Sequence, residues 1–327
     1  MYLENISILN FRNYKNFTKT FSPQKNIIKG ENATGKTNLL DSIYILLNSH
    51  SFIRKNYMNK IEQSTIKGTI KKDITYNITI HLGKNKKSLI NSKPYGLKDF
   101  KILFPSIIFS IKDFLNFNEK KYILSLIDKF SFIENPNIIQ IILNTAKHLK
   151  LKRILLEKKD INTVKIINKN ILKNVEIIQE NRKQSLQKIN LYLKDQNLIN
   201  KNIKLSYKPL IFDEKIINLE IQSNRNIFTL YKDTIEILLD ENNIFSYSSL
   251  GEKKMVLFSL IMSLIKHYNS LNKSPIILID DLEGDISNTN LEKMISMINT
   301  LNNQVFITTI GNINIKNANT INLSEAI

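Results

Sequence analysis

The chain has no cysteine and no tryptophan, and only eight glycines and six prolines among 327 residues. Average usage of ~7% glycine would give about 23. Without cysteine there is no disulfide framework, no thiolate zinc site and no thiol nucleophile, which suits a reducing compartment. No run of ~18 apolar residues is present, so no transmembrane helix and no membrane partner are expected. The start, Met1-Tyr2-Leu3-Glu4-Asn5, lacks the basic and apolar regions of a signal peptide, and a cytoplasmic protein is the expectation. The four histidines, His50, His81, His148 and His267, are scattered without metal-ligand spacing.

Acidic residues are in deficit too: 29 Asp+Glu against 47 Lys+Arg leave a formal charge of +18. Such a surplus attracts nucleic acid with strong salt dependence. The abundance of Lys, Asn and Ile also fits AT-rich codon usage, which raises the charge with no polyanion in view. Glycine is the sharper clue, because its codons are GC-rich and that drift removes it wherever it is dispensable. The survivors are Gly30, Gly35, Gly68, Gly83, Gly96, Gly251, Gly284 and Gly311, each a candidate for a backbone position that tolerates no side chain.

Hydrophobic spacing divides the chain into three. Residues 1–30 read as strand, turn, strand, and Leu39–Leu47 as a helix. Ile66 to Leu82 alternate with polar residues and predict strands through 65–110. Residues 112–205 lack glycine and carry helical spacing, predicting two or three long helices with charged outer faces. Residues 206–249 return to alternation, with Ile217, Leu219 and Ile221 read as one strand and Ile235, Ile237 and Leu239 as another. A helix is predicted over 252–268, a buried strand over 276–280, a helix over 291–302 and strands at 304–310 and 321–323. The expected architecture is α/β: a core built from residues 1–111 and 206–327, with a helical segment, 112–205, inserted.

Three motifs carry chemistry. Gly30-Glu31-Asn32-Ala33-Thr34-Gly35-Lys36-Thr37 fits G-x-x-x-x-G-K-[ST] between an apolar strand and an amphipathic helix. Glycines let such a loop wrap its N–H groups around phosphates, and the helix dipole adds to the attraction. Lys36 is placed for the β- and γ-phosphates and the Thr37 hydroxyl for Mg²⁺. Pro275-Ile276-Ile277-Leu278-Ile279-Asp280-Asp281 reads as a buried strand ending in two carboxylates. Asp280 would hold Mg²⁺, and Asp281 would act as general base on the attacking water. Ser248-Ser249-Leu250-Gly251-Glu252 opens the helix that follows it; by itself it is an ordinary capping box.

The order of these parts is that of ATP-binding-cassette ATPases, and the chain resembles the RecF family, recombination mediators among the SMC-like members of that class. Leu9–Tyr14, Gly30–Thr37 with Leu40–Tyr44, Ser49–Phe52, Ile90–Pro94, Phe109–Asp113 and Lys120–Tyr122 resemble successive family segments, Lys152-Arg153 and Arg182 fit basic lid positions, and in Gln304–Thr309 threonine stands where transporters have a switch histidine. The resemblance implies a P-loop ATPase head, a mixed sheet with flanking helices, carrying a helical lid. It implies ATP and Mg as cofactors, and an ATP-dependent homodimer in which Ser249 and Gly251 of one subunit close over ATP at Lys36 of the other. It further implies binding of double- and single-stranded DNA at gaps or junctions, with RecR and RecA as partners and slow hydrolysis as reset. Tyr231–Thr234, Glu283-Gly284-Asp285-Ile286-Ser287, Glu252 and Ser125 depart from the family pattern and bear on hydrolysis rate. Alternatives are a scaffold that binds nucleotide without turnover, a transporter-type cassette, a long-armed SMC protein and an ATPase–nuclease. The missing switch histidine, the short insertion and the short stretch after Asp281 count against the last three. Lys120, Lys121, Lys147, Lys150, Lys152 and Arg153 form either a DNA-facing stripe or a solvated helix face.

Overall fold

A computed structural model describes residues 1–53, 63–196, 199–284 and 286–323. They divide into two compact units, Met1–Asp113 with Tyr268–Ile327, and Phe114–His267.

The first unit holds two sheets. One is antiparallel: β1 (Tyr2–Phe11), β2 (Tyr14–Thr20), β4 (Ser64–Lys71), β5 (Thr75–Leu82), β6 (Lys87–Ile90) and β7 (Lys93–Pro94), in the order β2-β1-β4-β5-β6-β7. Its strands alternate, so Ile6, Ile8, Ile66, Ile70, Ile78 and Ile80 line one buried face while lysines, threonines and asparagines take the other. The second sheet is parallel, in the order β14 (Ala318–Asn322), β3 (Lys25–Lys29), β13 (Val305–Thr309), β12 (Ile276–Ile279), β8 (Ser106–Phe109). Strands β12 and β13 are buried at every residue, as strands covered on both faces require. Helix α1 (Lys36–Asn48) leads out of β3, and its buried leucines and isoleucines join the inner face of the antiparallel sheet in one core. Gly68 explains one surviving glycine. A Cβ there would meet the Leu46 side chain and lie 2.8 Å from the Asn5 carbonyl, so α1 packs this closely only because β4 has no side chain at that point.

Helix α2 (Leu97–Leu103) falls within a segment whose pattern suggests strands; the Asp99 carboxylate accepts from the Gly96 N–H at 2.9 Å and starts it. Helix α3 spans Ile111–Asn116, and α10 (Asn288–Asn299) starts on the Ser287 hydroxyl.

The second unit contains α4 (Lys120–Glu134), α5 (Ile138–Glu157), α6 (Ile161–Lys194), α7 (Glu214–Ser223), α8 (Ile244–Tyr247) and most of α9 (Leu250–Ser270), with the antiparallel strands β9 (Ile203–Lys208), β10 (Thr234–Leu239) and β11 (Asn242–Asn243). The unit thus takes in residues 206–267, which the hydrophobic pattern groups with the core. Ile217, Leu219 and Ile221 lie on helix α7, not on a strand. Asp213 caps its start by accepting from Ile216 N at 3.0 Å, and Asn224 ends it in the left-handed conformation; these local bonds outweigh the alternation.

Candidate functional site

Strand β3 ends at Lys29, and the chain bends through Gly30–Gly35 into α1. Gly35 is the N-cap, at φ +100°. A Cβ there would collide with the Asn13 amide and lie 3.0 Å from the Tyr14 hydroxyl. Asn13 lies in the β1–β2 turn and Tyr14 opens β2, and together they grip the loop from one side. Asn13 donates to the Thr34 carbonyl at 3.3 Å and Tyr14 to the Gly35 carbonyl at 3.1 Å. Arg12 reaches Asn38 at 2.7 Å and the buried Asp41 carboxylate at 2.5 Å, fixing the first turns of α1. Burial raises the Asp41 pKa, and Arg12 and Ser51 oppose that shift. The grip spans more than 20 residues of sequence, so the motif by itself gives no sign of it.

Lys36 folds back onto its own loop, its ammonium 2.7 Å from the carbonyls of Gly30 and Glu31. Desolvation lowers its pKa, against the pull of Asp281, Asp280 and Glu283. Thr37 donates to Asp280 at 3.0 Å. The loop and the acidic strand end, 243 residues apart in sequence, therefore meet at the C-terminal ends of β3, β13 and β12, where open α/β sheets bind ligands.

Asp280 is 8% exposed. Burial pushes its pKa up, countered by hydroxyl bonds from Thr308 at 2.8 Å and from Thr37. Asp281 adopts φ +54° directly after β12, and its N–H donates to Thr308 Oγ1 at 2.8 Å. Its carboxylate lies against Gly284, where a Cβ would come within 2.6 Å of Oδ2. Glu283 accepts from the Gly311 N–H at 3.1 Å. Asp285 lies outside the described residues. Asn32, Ala33, Gly35, Lys36, Thr37, Asp280, Asp281 and Thr308 share one cleft of about 280 Å³, together with Ile111 and Ile310.

These residues fit a magnesium nucleotide. The first N–H groups of α1 have no intrahelical partner, and Gly35 keeps the cradle before them open. Lys36 supplies the cation, and a hydroxyl and a carboxylate, both hard oxygen donors, converge within 3.0 Å. Gly30 and Thr34 close the loop on itself, since Thr34 Oγ1 would lie 2.7 Å from a Gly30 Cβ and donates to the Glu31 carbonyl at 2.9 Å.

Ser249 and Gly251 lie in the second unit. Ser249 N donates to the Glu252 carboxylate at 2.9 Å, and Glu252 N donates back to Ser249 Oγ at 3.2 Å. The turn is a closed capping box at the start of α9, with Lys201 on the outer carboxylate oxygen at 2.7 Å. Of the basic lid positions, Lys152 has no exposed side chain and pairs with Glu220 at 2.8 Å, which removes it from any solvent-facing stripe. Arg153 is exposed and pairs with Glu157. Arg182 is buried and binds Asp128 at 2.8 Å and Asp233 at 2.7 Å. The Asp233 carboxylate also receives Tyr207, Gln179 and Leu210 N, so within the reduced motif Tyr231–Thr234, Asp233 is built into this unit's core while Tyr231 stays exposed. No single-residue signal in the sequence marks that network. Among the described residues, no helix is long and apolar enough to cross a membrane.

A profile for the RecF/RecN/SMC N-terminal domain matches residues 2–324. Similar proteins include a DNA replication and repair protein RecF from Lachnospira eligens, 27% identical over 339 residues and covering 95% of this chain and 93% of its own. Another, of the same name, comes from Cytophaga hutchinsonii, 25% identical over 357 residues, with coverage of 94% and 89%. Among solved structures, the recombination mediator protein RecF with ATP superimposes with a TM-score of 0.81 at 22% identity, covering 96% of this chain and 93% of that one. An Smc head domain from Pyrococcus furiosus gives 0.57 at 13% identity, covering 95% and 90%. The fold is that of an ABC-type ATPase head.

Proposed function

The chain belongs to the RecF/RecN/SMC N-terminal domain family and is RecF-like, and from that premise we propose that it is an ATP-binding protein of DNA replication and repair that acts as a DNA clamp. In this reading it binds ATP and Mg²⁺, homodimerises on duplex DNA near single-stranded gaps, helps load a RecA-type recombinase with a RecR-type partner, and is reset by slow hydrolysis.

The observation that carries the proposal is the meeting of Thr37 with Asp280 at 3.0 Å beside a helix N-terminus held open by Gly35. Each residue then has a defined task. Lys36 neutralises phosphate charge near the loop carbonyls it now rests on. Thr37 and Asp280 would hold Mg²⁺, which when bound neutralises charge developing on the transferred phosphoryl group. Asp281 would take the proton of the attacking water. Ser249 and Gly251 would be offered to the nucleotide of a second copy; the helix N-terminus there is suited to an anion.

Size measurement with and without ATP and gapped DNA tests the reading. Wild type is expected to dimerise with ATP, and Lys36→Ala to remain monomeric. A Lys36→Ala chain that still dimerises with ATP sinks the mechanism. Asp281→Asn is expected to retain nucleotide binding and lose turnover. Absence of turnover in wild type itself would favour the nucleotide-binding scaffold instead.

A further inference from the structure

The two carboxylates at the end of β12 do not stand independently, because one hydroxyl on the neighbouring strand touches both residues. Thr308 is the fourth residue of β13, 1% exposed, between β3 and β12. Its Oγ1 donates to Asp280 Oδ1 at 2.8 Å and accepts the Asp281 N–H at 2.8 Å. A hydroxyl has one hydrogen and two lone pairs. The single hydrogen goes to Asp280, so a lone pair is left to face the Asp281 N–H, and the two bonds use complementary halves of one oxygen.

The ladder shows why a side chain is needed there. Ile277 N donates to the Gln304 carbonyl, and Ile279 stands opposite Ile307. Two steps of two along both strands from that bond would bring Asp281 N to the Thr308 carbonyl. The chain instead turns at Asp281 into φ +54°, a conformation rarely held by a residue with a side chain. The Thr308 hydroxyl takes the bond that the ladder gives up. The same oxygen aims Asp280 at Thr37, whose own hydroxyl approaches from the start of α1 at 3.0 Å.

We infer that Thr308 is a positioning residue of the nucleotide site: its hydroxyl sets the Asp280 carboxylate against Thr37 and fixes the backbone that carries Asp281. It acts through the two carboxylate-bearing residues that it hydrogen-bonds. The inference rests on the proposed ATP–Mg²⁺ reading and adds to it a residue that acts through Asp280 and Asp281. Thr309, the next residue, turns its hydroxyl to the Gly311 carbonyl instead.

The test compares Thr308→Val, Thr308→Ala and Thr308→Ser with wild type, using a fluorescent ATP analogue titrated with Mg²⁺ and again in chelator. Hydrogen bonds to a charged group are among the stronger ones. Thr308→Val is expected to raise the Mg²⁺ concentration for half-maximal binding by about tenfold or more. Binding of the analogue in chelator stays as in wild type, because Lys36 and the loop are untouched. Thr308→Ala removes the same oxygen without bulk and should show the same split even if the valine variant does not fold. Thr308→Ser keeps the oxygen and should restore the wild-type Mg²⁺ requirement. Wild-type Mg²⁺ dependence in Thr308→Ala, or an equal loss in Thr308→Ser, overturns the inference while leaving the ATP reading intact. A wild-type chain whose binding ignores Mg²⁺ overturns the reading, and the inference with it.

Discussion

Gly35 shows how much a single residue can decide. Its φ of +100° is strained for any residue with a Cβ, and the Cβ would also strike the Asn13 amide. Gly35→Ala is therefore expected to lower stability by ~1–3 kcal/mol and to remove the stabilisation that ATP confers, read by thermal unfolding with and without nucleotide. Retention of the ATP-induced rise in melting temperature would argue against a cradle at this position. Arg182 makes a separate demand. Its guanidinium is buried between Asp128 and Asp233, so Arg182→Met strands buried acid and should cost ~3–5 kcal/mol in chemical denaturation. Arg153→Ala, at an exposed i,i+4 pair, should cost less than ~1 kcal/mol. The sequence treats these two arginines alike, as basic residues on helices; only burial separates them. The Gly30–Thr37 motif, by contrast, is legible as a loop between a strand and a helix, where β3 and α1 put it. Its chemistry requires fixed residue types at fixed spacing. For what holds it, the sequence leaves Arg12 and Tyr14 open between loop support, adenine contact and plain packing, because contact across more than 20 residues leaves no periodic trace.

The same division appears among whole elements. Strands β12 and β13 and helix α9 could be read from their apolar runs, since buried segments have little compositional freedom. Helix α7 could not. Its isoleucines alternate as in a strand, and the bonds that decide the matter, Asp213 to Ile216 N and the left-handed Asn224, are local and polar. The start of α9 can be tested by pH. Lys201 and the Ser249 N–H hold the Glu252 carboxylate below its ordinary 4.5. A folded-state pKa below the unfolded one gives stability that is present above the ordinary value and lost as pH falls through the depressed one. Glu252→Gln keeps the capping box and removes the charge. It should be less stable than wild type by a few tenths of a kcal/mol at neutral pH, given solvent screening. That difference should vanish in acid below the depressed pKa, measured by melting temperature across pH. A constant difference at all pH values would place the effect in packing rather than charge.

For the whole molecule, the open question is whether a charge of +18 serves DNA or only reflects codon usage. The antiparallel sheet sharpens it. Segments 2–20 and 64–94 carry ten Lys and Arg and two acids, one of which, Glu4, is within 3.7 Å of Lys71. On the face turned away from the core, the cross-strand rows Asn16–Leu9–Thr65–His81–Lys87 and Thr18–Ser7–Lys67–Thr79–Leu89 contain no carboxylate. Hydroxyls, amides and ammonium groups are what bind phosphate backbones without reading sequence. For a clamp that meets DNA through this face, each phosphate contact removed lowers the slope of log affinity against log salt by about one. Lys67→Gln with Lys87→Gln, both exposed positions, should then lower the slope by about two, with the melting temperature unchanged. Arg153→Gln, whose guanidinium already faces Glu157, serves as the control that changes net charge elsewhere. Codon drift predicts equal effects per charge removed, wherever it lies. A surface adapted to DNA predicts that the sheet positions dominate, and fluorescence anisotropy of a gapped duplex over a salt series decides between them.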